Sequence, residues 1–459
     1  MGIGNDREHI SAGPATRRLT ATVPTQHAGQ AGHWTRPERL GMSGRWPGLL
    51  SLRIIESDGG LGGSARTKRS ARVKRAADDC YHGFEQGPIR PPSEAYSLLI
   101  RVTRNCPWNR CTFCPVYKGV KFSLRPVEDV KRDIDAVYEH VEKLRRARDE
   151  SGPGRGDGVD RLAASVDSKE ARAFSAAAHW LFGGGLKSVF LQDANSLAAK
   201  PRDLVEILTH LRKRFPSIER ITSYARSQTV AFRKEDELRA IREAGLDRLH
   251  IGLESGSDEV LKLVRKGCTK RMHIEAGLKA KRAGFEVSEY YMPGLGGREL
   301  SEKHALESAD ALNKIDPHFI RLRTLAIPDG VPLSEDQREG RFEKCTDVMV
   351  VRELLAFIEN LDGISSVIKS DHILNLFQDL KGKLPQDKAT MSMTLRAFLE
   401  MAPKRRRRYQ VGKRLGILSR IRDMEDPVRM AMVEANYRRM GVTAENVDAI
   451  MDGLTKRYV

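Results

Sequence analysis

Three of the chain's six cysteines, Cys106, Cys111 and Cys114, fall within nine positions of the segment RVTRNCPWNRCTFCPVYKG. Thiolates this close in one loop can hold a soft metal ion or an iron–sulfur cluster. Each option must find a fourth ligand. A structural zinc site takes another cysteine or a histidine, usually from a second paired knuckle. Cys80, Cys268 and Cys345 are scattered and form no such pair. An electron-transfer [4Fe–4S] centre likewise needs a fourth ligand. A cluster held by three cysteines keeps one iron open, which suits binding and activating a small molecule. The residue types therefore leave three classes standing: a cluster enzyme, an electron-transfer protein, and a zinc- or iron–sulfur-stabilised binding protein, for instance one that binds nucleic acid.

The cysteines directly follow an apolar run, SLLIRV from Ser97, and further runs of strand character start at Lys187, Arg220, Arg248, Phe285 and Phe319. From Lys187 on, the starts lie 28–37 residues apart, the length of a strand–helix unit. The intervening segments have helical periodicity. One helix following Pro126 puts Val127, Val130, Ile134, Val137, Val141 and Leu144 on one face; another aligns Leu204, Ile207, Leu208 and Leu211. SDEVLKLVRKG opens on a Ser/Asp cap and stops at Gly267. Repeated βα units predict a parallel sheet, open or closed into a barrel. Barrel enzymes keep their chemistry in loops at the C-terminal ends of strands, which is where the cysteine loop lies. Two features interrupt the rhythm. Residues 148–170 read as a polar, Gly-rich insertion, and FGGG at Phe182–Gly185 as a turn before a strand. Beyond Pro328 the expectation is a helix, one more short strand, a helix over the 370s, and a basic helical tail from Met391.

Composition narrows the class. The chain has 459 residues, 40% hydrophobic and 31% charged, as in a soluble globular protein. No apolar run approaches the roughly 20 residues of a membrane span, and the N-terminus lacks a secretory pattern. A cytoplasmic location is therefore expected, where clustered cysteines bind metal or do chemistry more often than they form disulfides. The net charge of +18 sits mostly at the ends. Residues 1–80 hold 13 Lys/Arg against 7 Asp/Glu, and residues 404–459 hold 14 against 7. A nucleic-acid footprint would more naturally line the active face, so solvated basic ends are the simpler reading. Residues 1–80, rich in Gly, Ser, Thr, Pro and Arg, are expected to be disordered.

The segment CPWNRCTFC resembles the signature of the radical S-adenosylmethionine (SAM) superfamily. CTFC fits the Cys-x-aromatic-Cys half, with Phe113 as the aromatic; the first gap holds four residues where three are usual. One residue adds at most about 3.5 Å of chain, which a loop can bulge to absorb. The resemblance implies a [4Fe–4S] cluster on Cys106, Cys111 and Cys114, with SAM chelating the fourth iron through its amino and carboxylate groups. It implies reductive cleavage of SAM to a 5′-deoxyadenosyl radical that acts on a substrate, and an electron donor such as flavodoxin or ferredoxin. It implies a partial (β/α)6 barrel, an α/β fold, over residues 81–330, with a mostly helical extension over 331–459.

Strand ends then become expected SAM contacts. QDANSL places Asp193 and Asn195 where the family orients the SAM amino group; a helix cap serves them equally well. Ser223 and Arg226 end the next strand, and Arg226 could pair with the SAM carboxylate or make a surface ion pair. Glu254 and Ser255 in IGLESG resemble the ribose-contacting element, and Gly294 in YMPGLGGRE the element near adenine. Arg321 and Arg323 are candidate substrate groups, although strand arginines more commonly face solvent. Asp371, His372 and Asn375 cluster after an expected seventh strand and fit a helix cap better than catalysis. Lys404–Arg408 reads as a solvated helix face. These elements are similar to the branch containing oxygen-independent coproporphyrinogen oxidases and Elongator-like enzymes acting on tRNA. A small molecule and a tRNA both stay open as substrate.

Overall fold

The computed structural model describes residues 81–151 and 157–458, so the basic N-terminal segment lies outside the described residues. The described residues fall within one compact unit, Arg75–Val459. Its frame is an eight-stranded sheet. Strand β1 (Leu98–Arg101) is followed by a two-stranded ribbon, β2 (Thr103–Arg104) and β3 (Ser123–Leu124), which brackets the cysteine loop. The sheet continues through β4 (Ser188–Gln192), β5 (Arg220–Ala225), β6 (Arg248–Glu254), β7 (Glu286–Tyr291), β8 (Phe319–Leu322), β9 (Val367–Lys369) and β10 (Lys381–Lys383). Spatial order is β1-β4-β5-β6-β7-β8-β9-β10; every pairing is parallel except the last.

The six expected strands are present, and β9 extends the parallel wall to seven. The fold is an α/β partial barrel with a helical C-terminal extension. Residues beyond 330 contribute β9 and β10 to the same sheet. Their helices share a core with it, Tyr291, Ile320 and Leu322 packing with Phe357, Phe398 and Tyr409.

The helices follow the apolar periodicity. Helix Val127–Ser151 buries Val130, Ile134, Val137, Val141 and Leu144 completely, while Val127 packs at its edge. Helix Pro201–Arg214 buries Leu204, Ile207, Leu208 and Leu211. Four expectations need correction. The insertion at 148–170 is partly helical: the first helix runs to Ser151 and another spans Asp157–Ser165. FGGG is mostly helix: Ala171–Gly184 includes Phe182, and the chain turns left-handed only at Gly185. Glycine is needed at Gly184, where an added Cβ would lie 2.1 Å from the Tyr96 carbonyl oxygen. The segment at 370–380 is not helical. Asn375 holds it instead, accepting from the Thr324 amide (2.8 Å) and donating to the Leu322 carbonyl (2.8 Å). The run Lys404–Arg408 is only half solvated, since Arg408 pairs with Glu434 at 2.6 Å and Arg406 donates to the Leu399 carbonyl. No helix among the described residues is long and apolar enough to cross a membrane.

Truncating a fully buried residue of the first helix tests this packing. Ile134→Ala is expected to cost about 2–5 kcal/mol, read as a lower urea midpoint with an unchanged m-value.

Candidate active site

The ends of the parallel strands open onto a cavity of about 280 Å3. Cys106, Cys111 and Cys114 line it, together with Arg226, Glu254 and Lys266. The cysteine loop is fixed from both sides. Asp193, fully buried just past β4, takes the Arg101 guanidinium at 2.6 Å and the Tyr117 hydroxyl at 2.6 Å. It also accepts from the Asn105 amide at 3.2 Å. The carboxylate thus clamps the strand before the loop, the loop's first turn and its far end.

The four-residue first gap is absorbed by asparagines. Asn105 (φ +68°) and Asn109 (φ +47°) adopt the left-handed conformation, which asparagine tolerates better than most residues. The Asn109 amide donates to Cys106 Sγ at 3.4 Å, and its side-chain amide donates to the Tyr117 and Val120 carbonyls. This bulge presents Trp108 to the loop after β6. Its indole N–H donates to the Arg265 carbonyl at 2.8 Å, and its ring lies between Arg226 (5.0 Å) and Arg110 (5.2 Å). The ring packs against Gly267, where an added Cβ would sit 2.3 Å from it.

Glu254 reaches the cavity through an irregularity in β6. The register with β7 shifts between Ile251 and Glu254, and Glu254 has φ +62°. Bulges re-aim side chains in this way. Its carboxylate meets Lys266 at 3.1 Å. Burial pushes the Cys111 and Cys114 thiols up. The positive charges of Lys266 and Arg226 beside Cys111, and of Arg323 beside Cys114, work in the opposite sense. Glu289 is buried behind Glu254 with no hydrogen-bond partner; burial, then the Glu254 charge, raises its carboxyl well above the usual range.

This donor set fits a cluster bound by thiolates. Three free thiols face one cavity that Arg226 and Lys266 also line. Among the described residues, no three His, Cys, Asp or Glu side chains gather as ligands of a single ion. A cubane, unlike one zinc ion, takes each thiolate on a different iron.

Other expected contacts point elsewhere. Asp193 is consumed by the loop clamp. Asn195 is buried, donating to Thr229 Oγ1 (2.8 Å) and accepting from the Arg226 amide (3.2 Å), so it braces the neighbouring strand end. Ser223 donates to the Leu191 carbonyl within the sheet and not toward the mouth. Ser255 bonds His304 at 2.8 Å on the helix Gly297–Ile315. The Gly294 amide donates to Glu353 at 2.7 Å, and Gly294 lines a separate hollow. The Arg226 guanidinium donates to the Lys266 carbonyl at 2.9 Å. His372 lines the cavity, and burial lowers its pKa to about 3. Arg321 is buried and not solvated, paired with Asp371 at 3.0 Å. Sequence reasoning missed Lys266. Its only signal was a lysine 12 residues after Glu254, at the end of an expected helix, which many surface lysines share. It also missed Tyr224, His250 and Tyr290, which line the cavity's inner wall.

The family model described as the Radical SAM superfamily matches residues 161–309, a stretch that begins after the cysteine loop. The tRNA uridine(34) acetyltransferase of Methanocaldococcus infernus is 26% identical over 110 residues, 24% of this chain and 21% of that protein. The protein of the same name from Methanocaldococcus jannaschii is 20% identical over 128 residues, 28% and 24% of the two chains. The chain spans well under half the length of the curated relatives it matches. Among solved structures, coproporphyrinogen III oxidase from Escherichia coli, a radical SAM enzyme, aligns with a TM-score of 0.37. Its identity is 15%, over 62% of this chain and 61% of that one.

Two measurements probe the loop. Asp193→Ala leaves the Tyr117 hydroxyl unpaired and Arg101 short of one partner. A stability loss of about 3 kcal/mol is expected, read by urea unfolding, with a lower iron-to-protein ratio after reconstitution. In cluster-free protein, alkylation of Cys111 and Cys114 is expected to keep accelerating above pH 9, because raised pKa values delay thiolate formation. Peptide mapping by mass spectrometry checks this; a plateau by pH 9 contradicts it.

Proposed function

We propose that the chain is a radical SAM enzyme whose cofactors are a [4Fe–4S] cluster and SAM, and from that premise a role follows for each residue of the cavity. Cys106, Cys111 and Cys114 hold the cluster, leaving one iron for SAM. The observation that carries this reading is the convergence of the three thiols with Arg226, Glu254 and Lys266 on one cavity at the strand ends.

The chemistry supplied by the reduced cluster and SAM together is a 5′-deoxyadenosyl radical, which abstracts hydrogen from the substrate. The protein's part is ligation, orientation and exclusion of water. Asp193 fixes the loop that carries the thiols. Lys266 and Arg226 offset the negative charge of the thiolates. Glu254, held by Lys266, offers carboxylate oxygens that accept hydrogen bonds from the SAM ribose hydroxyls. Trp108 covers the loop and seals it against the segment Arg265–Gly267. Asp193, Asn195, Ser223, Ser255 and Gly294 act in this reading by positioning the strand ends, not by touching SAM.

The barrel is assigned to residues 81–330 and the helical extension to 331–459, with β9 as the strand that joins them. The electron comes from a small acidic redox protein of the flavodoxin or ferredoxin kind; the exposed Arg110 and Lys121 beside the cysteine loop suit such a partner.

Anaerobic reconstitution with iron and sulfide tests the function. The expected product is a brown, oxygen-sensitive protein that releases 5′-deoxyadenosine when reduced in the presence of SAM. Cys111→Ala is expected to lose the cluster and to lower this release at least a hundredfold. A protein that takes up zinc, holds no iron and leaves SAM intact would overturn the reading.

A further inference from the structure

The inner wall of the cavity carries a set of aromatic, imidazole and cationic groups. Tyr224 and Tyr290, on adjacent sides of His250, stand with ring centroids 6.4 Å apart; His250 lies 6.0 and 5.8 Å from them. All three line the cavity. His250 is fully buried, and neither of its ring nitrogens has a hydrogen-bond partner. Its nearest anionic neighbour, Glu94, stands 3.8 Å away. An unpaired buried imidazole is costly unless something else satisfies it.

Arg323 completes the set. Exposed just past β8, it lines the same cavity, within electrostatic reach of Tyr224, Tyr290 and His372. Among the described residues its guanidinium has neither an ion pair nor a side-chain hydrogen bond. Its neighbour Arg321, by contrast, is taken up by Asp371 and Ser288. A free guanidinium fork beside flat aromatic walls recognises an oxyanion with two coplanar acceptors attached to a planar or apolar body. Among the described residues lining this cavity, the one carboxylate, Glu254, is already paired with Lys266.

We propose that this wall is the substrate subsite and that the substrate is a small organic acid. Arg323 takes its carboxylate or phosphate, Tyr224 and Tyr290 flank its body, and His250 hydrogen-bonds a polar group at the opposite end. The proposal rests on the radical SAM reading in calling the ligand a substrate, while the binding site itself does not.

Calorimetric titration of the full chain tests this with three probes: 4-hydroxybenzoate, phenyl phosphate and the uncharged 4-hydroxybenzyl alcohol. At least one anion is expected to bind saturably and at least tenfold more tightly than the alcohol, and the better anion tells carboxylate from phosphate. Arg323→Gln is expected to weaken that anion at least tenfold in cluster-free protein. Arg323→Lys, which keeps charge but not the fork, recovers part of the loss. His250→Phe is expected to weaken 4-hydroxybenzoate severalfold. The proposal fails if neither anion outbinds the alcohol, or if Arg323→Gln leaves the anion's affinity unchanged. The same titration on cluster-free protein without SAM separates the two readings: anion binding there, with no SAM binding by the reconstituted protein, keeps the acid subsite and defeats the cofactor assignment.

Discussion

The buried carboxylate of Asp193 is the constraint on which the site depends. A loop carrying three cysteines has no regular structure to hold it, and thiols displaced by an ångström cannot share a cluster. Asp193 solves this from the end of β4. It takes Arg101 from the neighbouring strand, the Asn105 amide where the loop begins and the Tyr117 hydroxyl where it returns. A carboxylate buried this deeply is tolerated only when charge and hydrogen bonds satisfy it. Here the satisfaction is supplied by the segments it must align. Stability and positioning are therefore the same interaction.

A second layer of control is electrostatic. Burial opposes thiolate formation at Cys111 and Cys114, and the charges of Lys266, Arg226 and Arg323 oppose that effect. Lys266 is itself oriented by Glu254, which faces the cavity because β6 slips register against β7. The bulge, the ion pair and the thiols form one chain of dependence across three strand ends. Trp108 joins it by stacking on Arg226 and resting on Gly267.

Much of the frame was legible. The strands at Arg220 and Arg248 match their runs closely, and the helix faces match because a 3.6-residue period leaves no other way to bury them. The cysteine cluster was legible for the same kind of local reason, since three thiols in nine residues have few uses. Individual SAM contacts were harder to read. A strand end names which residues are near the cavity, but not which side chains face it. Asp193, Asn195, Ser223 and Ser255 all sit near the mouth in sequence, yet their polar atoms bond to neighbouring segments.

The sequence by itself determined the alternation of strands and helices, the place of the cysteine loop after the first strand, and the soft-ligand chemistry of that loop, because periodicity and residue type are local properties. Only the tertiary structure decided where Trp108 rests, that Asp193 clamps the cysteine loop, and that Lys266, His250 and Arg323 share a cavity with the thiols. Those facts rest on register, on left-handed turns at Asn105 and Asn109, and on which buried polar atoms find partners. Each is set by residues 50 to 160 positions apart in the chain, separations over which one-dimensional spacing carries no signal.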